Sequence, residues 1–182
     1  AKVTVFASKV KKSVDNNYTF CYINTRTNKT VKMEERCMNI SRFTQKSMEA
    51  VERCQKLALE YGNQEIEQEH LLYGLLTIED SLILKLIEKM GIQKEHFVDR
   101  TRQAVEKRVK VQGGQVYVGK DLNMALTSAE DEAKQMGDEY VSVEHLFLSM
   151  LRHPNRELKE IWNEYGITRE RFLQALSTVR GN

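Results

Sequence analysis

The residues Glu69-His70-Leu71-Leu72 occur again as Glu144-His145-Leu146-Phe147, 75 residues further on. The flanking sequence keeps this register without a gap. Gly62 pairs with Gly137, Ile66 with Val141, Leu76 with Leu151, Gly91-Ile92 with Gly166-Ile167, and Phe97 with Phe172. Between 43–105 and 118–180 there are eleven identities, and most other apolar positions are matched by apolar residues. One copy alone has a thin core, so the two are expected to bury each other's apolar faces about a pseudo-twofold axis.

Within each copy the apolar residues recur every three or four positions, which predicts helices. Thr44 is the expected cap of a first helix carrying Met48, Val51, Cys54, Ala58 and Tyr61, and Gly62 ends it. A second helix is expected over about 68–77, a third over about 81–90 and a fourth over about 94–109. In the second copy Asp121 is the expected cap of a helix that Gly137 ends. Ser142 caps the next, Pro154 breaks it, Gly166 ends the third and Thr168 caps the last. Gly74, mid-helix and matched by Ser149, implies close approach of a neighbouring helix. The expected fold class is all-α, two pseudo-symmetric four-helix repeats, with a short N-terminal extension that is β or disordered. The chain divides into a basic extension, 1–37, and a repeat domain, 38–182, composed of repeat one 43–105, a connector 106–117 and repeat two 118–180.

Composition supports a helix-rich globule, with 41% hydrophobic and 30% charged residues. The net charge of +2 hides a split: 1–37 carries eight Lys/Arg against three Asp/Glu, and 38–182 carries twenty against twenty-three. The repeat region is therefore not a nucleic-acid surface by net charge. No apolar run approaches a membrane span, and the first ten residues lack a signal-peptide core. Cys21, Cys37 and Cys54 are odd in number without a CxxC, which points to reduced thiols and a cytoplasmic location. In the extension, 3–6, 18–23 and 30–33 are rich in β-branched and aromatic residues, with turns expected at 15–17 and 28–29. A small β piece, a disordered or non-native extension, and a nucleic-acid-binding segment all remain open there.

Taken together, Met38-Asn39-Ile40-Ser41-Arg42-Phe43-Thr44, Ile66-Glu67-Gln68-Glu69-His70-Leu71-Leu72, Gly113-Gly114-Gln115-Val116 and Asp138-Glu139-Tyr140-Val141-Ser142-Val143-Glu144-His145-Leu146 resemble the double Clp N-terminal domain. Within that family they are most similar to the N domain of ClpB-type bacterial disaggregases. The resemblance covers about 38–182 and leaves 1–37 unplaced. It implies an all-α domain that contacts unfolded or aggregated polypeptide and passes it to ATPase modules. Those modules are not in this chain, so it is expected to be a recognition module and not itself an enzyme. The alternative is a stand-alone adaptor or regulatory protein docking on Clp-type machines. The expected partners are unfolded or aggregated proteins and Clp ATPase modules or a co-chaperone, with no nucleic acid and no membrane.

For site residues, the resemblance implies substrate handling at Thr44, Asp138, Glu144 and Glu69. In the ClpC branch the matching glutamates receive phosphoarginine. A helix-start glutamate is also stabilising without any ligand, by about 0.3–1 kcal/mol. His70 and His145 are read as capping or packing residues. Leu126, near the segment that the family places along an apolar groove, is a candidate groove residue, although a leucine at helical spacing is also a core residue. Gly114-Gln115-Val116-Tyr117-Val118-Gly119-Lys120-Asp121 matches G-x-x-x-x-G-K, but Asp stands where Ser or Thr must hold magnesium, so no nucleotide is expected. No cofactor, metal site or catalytic constellation is expected.

Overall fold

Thr44 has an extended backbone, and its Oγ1 accepts from the Ser47 N–H at 3.3 Å, so the first helix starts where its side chain can serve an orphan donor. The computed structural model describes residues 3–5, 19–20, 22–24, 38–39, 42–111 and 116–181. Among these are eight α-helices. The first repeat contains α1 Gln45–Glu60, α2 Gln68–Thr77, α3 Leu82–Lys89 and α4 Lys94–Glu106. The second contains α5 Lys120–Gln135, α6 Val143–Arg152, α7 Arg156–Tyr165 and α8 Arg169–Arg180. Gly62 and Gly137 follow α1 and α5 with φ of 70° and 73°, a conformation that a side chain would strain.

The two repeats are joined by reciprocal backbone bonds. Strand β5, Glu65–Ile66, pairs in parallel with β6, Tyr117–Val118, and Phe43 pairs in parallel with Val141. The Thr44 N–H donates to the Val141 carbonyl at 3.0 Å, and the Gly119 N–H donates to Ile66 at 2.8 Å. Donors and acceptors in these two bonds are each 75 residues apart, so the exchange obeys a pseudo-twofold. It recurs at the third and fourth helices. His96 meets the Tyr165 hydroxyl at 2.6 Å, and its counterpart Arg171 donates to the carbonyl of Met90, the counterpart of Tyr165. Neither copy completes its own backbone partners, and the interior is therefore shared.

Helices α2 and α6 form the centre. They are buried on nearly every side, including the polar Gln68, Glu69 and His70 in one and Glu144, His145 and Ser149 in the other. Phe147 stacks on Phe172 with ring centroids 4.4 Å apart and lies 5.1 Å from Trp162. Gly74 marks the close crossing expected of it: a Cβ there would lie 3.0 Å from the Ala50 carbonyl oxygen. At the same crossing in the second copy, the Ser149 hydroxyl donates to the Ala125 carbonyl. Gly74→Val should therefore lower stability by about 1–3 kcal/mol through overpacking, with Gly74→Ser costing less. Urea melts compare the two directly, and equal midpoints would remove the close-contact argument.

Three expectations are corrected. Asp121 is not the cap of α5: Gly119 is the N-cap, without a side-chain bond, and Asp121 lies inside the first turn. The helix begins earlier because the Gly119 N–H is already engaged by Ile66 across the repeats. Helix α4 stops at Glu106 and not near 109, because the Val109 carbonyl accepts from Asn63 Nδ2 at 3.1 Å and the Val111 N–H donates to Gly62. Leu126 lines no open groove. It is 2% exposed and belongs to the shared core.

In the extension, β1 Val3–Val5 pairs antiparallel with β3 Tyr22–Asn24, and β2 Thr19–Phe20 pairs with β4 Met38–Asn39. The expected strand at 30–33, both expected turns, Cys21 and Cys37, and the Gly113-Gly114-Gln115 connector lie outside the described residues. Cys54 is a buried free thiol whose Sγ donates to the Ala50 carbonyl at 3.1 Å, and burial pushes its titration upward.

Candidate functional site

Both central helices start with the same device. The His70 Nδ1 accepts from the Glu67 N–H at 3.0 Å, and the His145 Nδ1 accepts from the Ser142 N–H at 2.8 Å. Each histidine sits at the third helical position and completes a capping box with the residue before the helix. Because Nδ1 accepts, the proton is on Nε2 and donates onward, to Asn63 Oδ1 at 3.0 Å in one copy and Asp138 Oδ2 at 2.8 Å in the other. Asn63 and Asp138 are themselves counterparts, so the repeats share geometry but differ in charge. Burial holds His70 down to about 4, helped by the nearby Arg108 and opposed by the Glu67 bond.

Glu69 and Glu144 occupy the second helical position, where the positive helix end favours a carboxylate. Both are buried and paired with an arginine. Arg108 Nη1 lies 3.2 Å from Glu69 Oε1, while Asn155 Nδ2 donates to the other oxygen at 3.1 Å. Arg180 Nη2 lies 2.6 Å from Glu144 Oε1, and its Nη1 lies 2.7 Å from Asp138 Oδ2. For Asp138, burial pushes the carboxyl up, but the bonds from Arg180 and His145 outweigh it and hold the group below its usual range. Arg180 is the last residue of α8, and Arg108 lies just past the C-cap of α4.

The expected site residues separate into two places and the core. Asp138 and Glu144 share Arg180, and Thr44 is tied by its N–H to Val141 between them in sequence, so these three gather at one seam. Glu69 lies at the pseudo-equivalent seam with Arg108. Leu126 is at neither. Beside Glu69 a cavity of ≈ 510 Å³ opens where the starts of α2, α5 and α7 converge, with Glu65, Glu67, Arg108, Asp121 and Glu157 among its lining residues. In the G-x-x-x-x-G-K stretch, Gly114 and Gln115 lie outside the described residues. At its helix end, the Glu67 carboxylate occupies the place where a phosphate would meet N–H groups.

Sequence reasoning missed Glu67, Gln68, Arg108 and Arg180. The arginines are 72 residues apart, three out of register with the repeat, so an alignment of the copies does not pair them. Glu67 and Gln68 stand opposite Ser142 and Val143, and those mismatches in an otherwise matched stretch were the available signal. Glu132, opposite Leu57, is another: fully buried, it pairs with Arg169 at 2.6 Å and Arg152 at 3.6 Å. Among the described residues no group of three His, Cys, Asp or Glu is placed to hold a metal ion. No described helix is long and apolar enough to cross a membrane.

The Clp repeat (R) N-terminal domain model matches residues 42–165. The chaperone protein ClpB of Nitratidesulfovibrio vulgaris is 38% identical over 151 residues, which are 80% of this chain and 18% of that protein. The chain thus spans under a fifth of the length of that relative. The Hsp104 N-terminal domain from Candida albicans superposes with a TM-score of 0.67 at 20% identity, covering 76% of this chain and 91% of that one. A ClpV N-domain in complex with a VipB peptide has a TM-score of 0.59 at 21% identity, covering 76% and 86%. These two likenesses carry the fold alone. The repeat register, the reciprocal strand exchange and the family match agree, and this chain belongs to the Clp repeat (R) N-terminal domain family.

Proposed function

We propose that this chain is the substrate-recognition module of a ClpB-type ATP-dependent disaggregase of the cytoplasm, binding unfolded or aggregated polypeptide. The observation that carries this reading is the seam at which Asp138 and Glu144 share Arg180 while the Thr44 N–H pairs with the Val141 carbonyl. A carboxylate pair held by one half-exposed arginine, beside an extended backbone segment, offers exchangeable polar partners to an incoming chain. The ClpV N-domain of the same fold takes a peptide, which supports a polypeptide ligand for this chain too.

Binding to unfolded casein, followed by fluorescence anisotropy, tests the reading. Glu144→Gln loosens Arg180 and should weaken binding about five-fold, near 1 kcal/mol, with helicity unchanged by circular dichroism. No binding at high micromolar concentration would sink the client reading, and stoichiometric capture of a folded Clp partner instead would favour an adaptor.

A further inference from the structure

Glu67 does two jobs that the pseudo-equivalent seam divides between Ser142 and Thr44. Like its counterpart Ser142, it caps the second helix of its own repeat, with Oε2 accepting from the Gln68 N–H at 3.2 Å. The same Oε2 also accepts from the Leu122 N–H at 3.1 Å, in the first turn of α5 and in the other repeat. The counterpart of Leu122 is Ser47, whose N–H is served by Thr44 from within its own helix. The counterpart of Thr44 is Gly119, which has no side chain to offer. A Cβ built on Gly119 would fall 1.7 Å from Glu67 Oε1, so the carboxylate fills the volume that a threonine would need. One carboxylate therefore caps a helix in each repeat and stands in for a missing side chain.

Its surroundings are charged on every packed side. Glu65 and Glu69 flank it in its own repeat, with His70 completing the capping box. Arg108 approaches from the end of α4, and Lys120 and Asp121 from α5. Arg156, Glu157 and Glu160 of α7 line the same cavity. The His70 N–H reaches the Glu67 carboxylate in the capping box. Desolvation raises the group to about 7, and Glu69, Asp121 and Glu65 add to this, while the Gln68 N–H opposes it. Desolvation and like charge therefore outweigh the backbone bond.

We infer that Glu67 is a proton-dependent latch between the two repeats: seated on α2 and α5 when neutral, it swings into the adjacent cavity on ionising and frees the first turn of α5. The seated form binds the proton more tightly than a solvated carboxyl does. Raising pH through neutrality therefore shifts the balance towards the open form, by on the order of 100-fold in the limit. This device holds whatever the domain binds.

The test uses the whole chain. The Glu67 Cδ resonance is followed by NMR from pH 4 to 8.5, and amide exchange at Leu122 is measured across the same range and corrected for its intrinsic base catalysis. Ser47, capped by Thr44, is the internal reference. The Cδ should titrate near 7, and protection at Leu122 should fall at least ten-fold above that pH while Ser47 does not change. Glu67→Gln should abolish the pH dependence. Glu67→Ser with Gly119→Thr, which imports the Ser142 and Thr44 arrangement of the pseudo-equivalent seam, should abolish it as well. A Glu67 titration near 4.5, or Leu122 protection equal on both sides of neutrality, overturns the latch, and both are read on the unmutated chain if a variant fails to fold.

Discussion

Replacing Gln68 by leucine is expected to lower stability by about 3–5 kcal/mol, although the shape is kept and the counterpart residue, Val143, is apolar. Gln68 is fully buried, and its side chain sews the two repeats together. Its Nε2 donates to the Asp121 carbonyl at 3.0 Å and to the His153 carbonyl at 2.8 Å, and its Oε1 accepts from the Asn155 N–H at 2.8 Å. Those partners lie 53, 85 and 87 residues away, so every one of these bonds is tertiary. Leucine satisfies none of them and leaves dehydrated backbone groups at the starts of α5 and α7. Each orphaned group costs about 1–3 kcal/mol, and Asp121 is cushioned by the helix it belongs to. Urea unfolding should show a lower midpoint with an unchanged slope, and the melting temperature should drop by roughly 10 °C. A loss below about 1 kcal/mol would mean that the repeats are held by apolar packing alone.

Glu67→Gln and His70→Gln should expose two pH dependences that oppose one another in the native chain. Glu67 is raised to about 7 from a reference of 4.5, so its contribution is fully present below 4.5 and is lost as pH rises through 7. His70 is lowered to about 4 from 6.5, so its contribution is present above 6.5 and is lost as pH falls through 4. Each shift corresponds to about 3 kcal/mol, with opposite sign over nearly the same window. Their sum is close to flat between about pH 4.5 and 6.5. Glu67→Gln keeps the acceptor without the charge and should be about 3 kcal/mol more stable than the native chain at pH 8, losing that advantage towards pH 4. His70→Gln keeps a capping-box residue and should be the more stable chain at pH 4, by a similar amount. Denaturant melts at pH 4, 6 and 8 decide it. Parallel pH profiles for all three proteins would show that neither buried group is tuned as described.

The legible part of this molecule was local. Thr44, Ser142 and Thr168 cap the helices they were expected to cap, because a cap is decided by a side chain and the N–H groups two or three residues on. Gly74 announced a close crossing, because a glycine inside a helix has no local reason to be there. Asp121 misled for the opposite reason: its cap signal is local, but α5 starts at Gly119 and receives its cap from Glu67 in the other repeat. Leu126 misled because helical spacing is the same for a core leucine and a groove leucine, and only packing separates them.

Eight helices, two copies and one shared interior follow from periodicity, caps and a 75-residue register, all of which can be read along the chain without knowing how it packs. The pairing of Glu69 with Arg108, of Glu144 with Arg180, and of Glu67 with the start of α5 does not follow from them. Those partners are 36 to 55 residues apart and meet only after the fourth helix of each repeat has folded back and the repeats have exchanged strands. Burial and through-space charge exist only in the assembled chain, so it was packing that turned a row of helix-start carboxylates into two arginine-held seams, one acidic cavity and one carboxyl that burial pushes up to about 7.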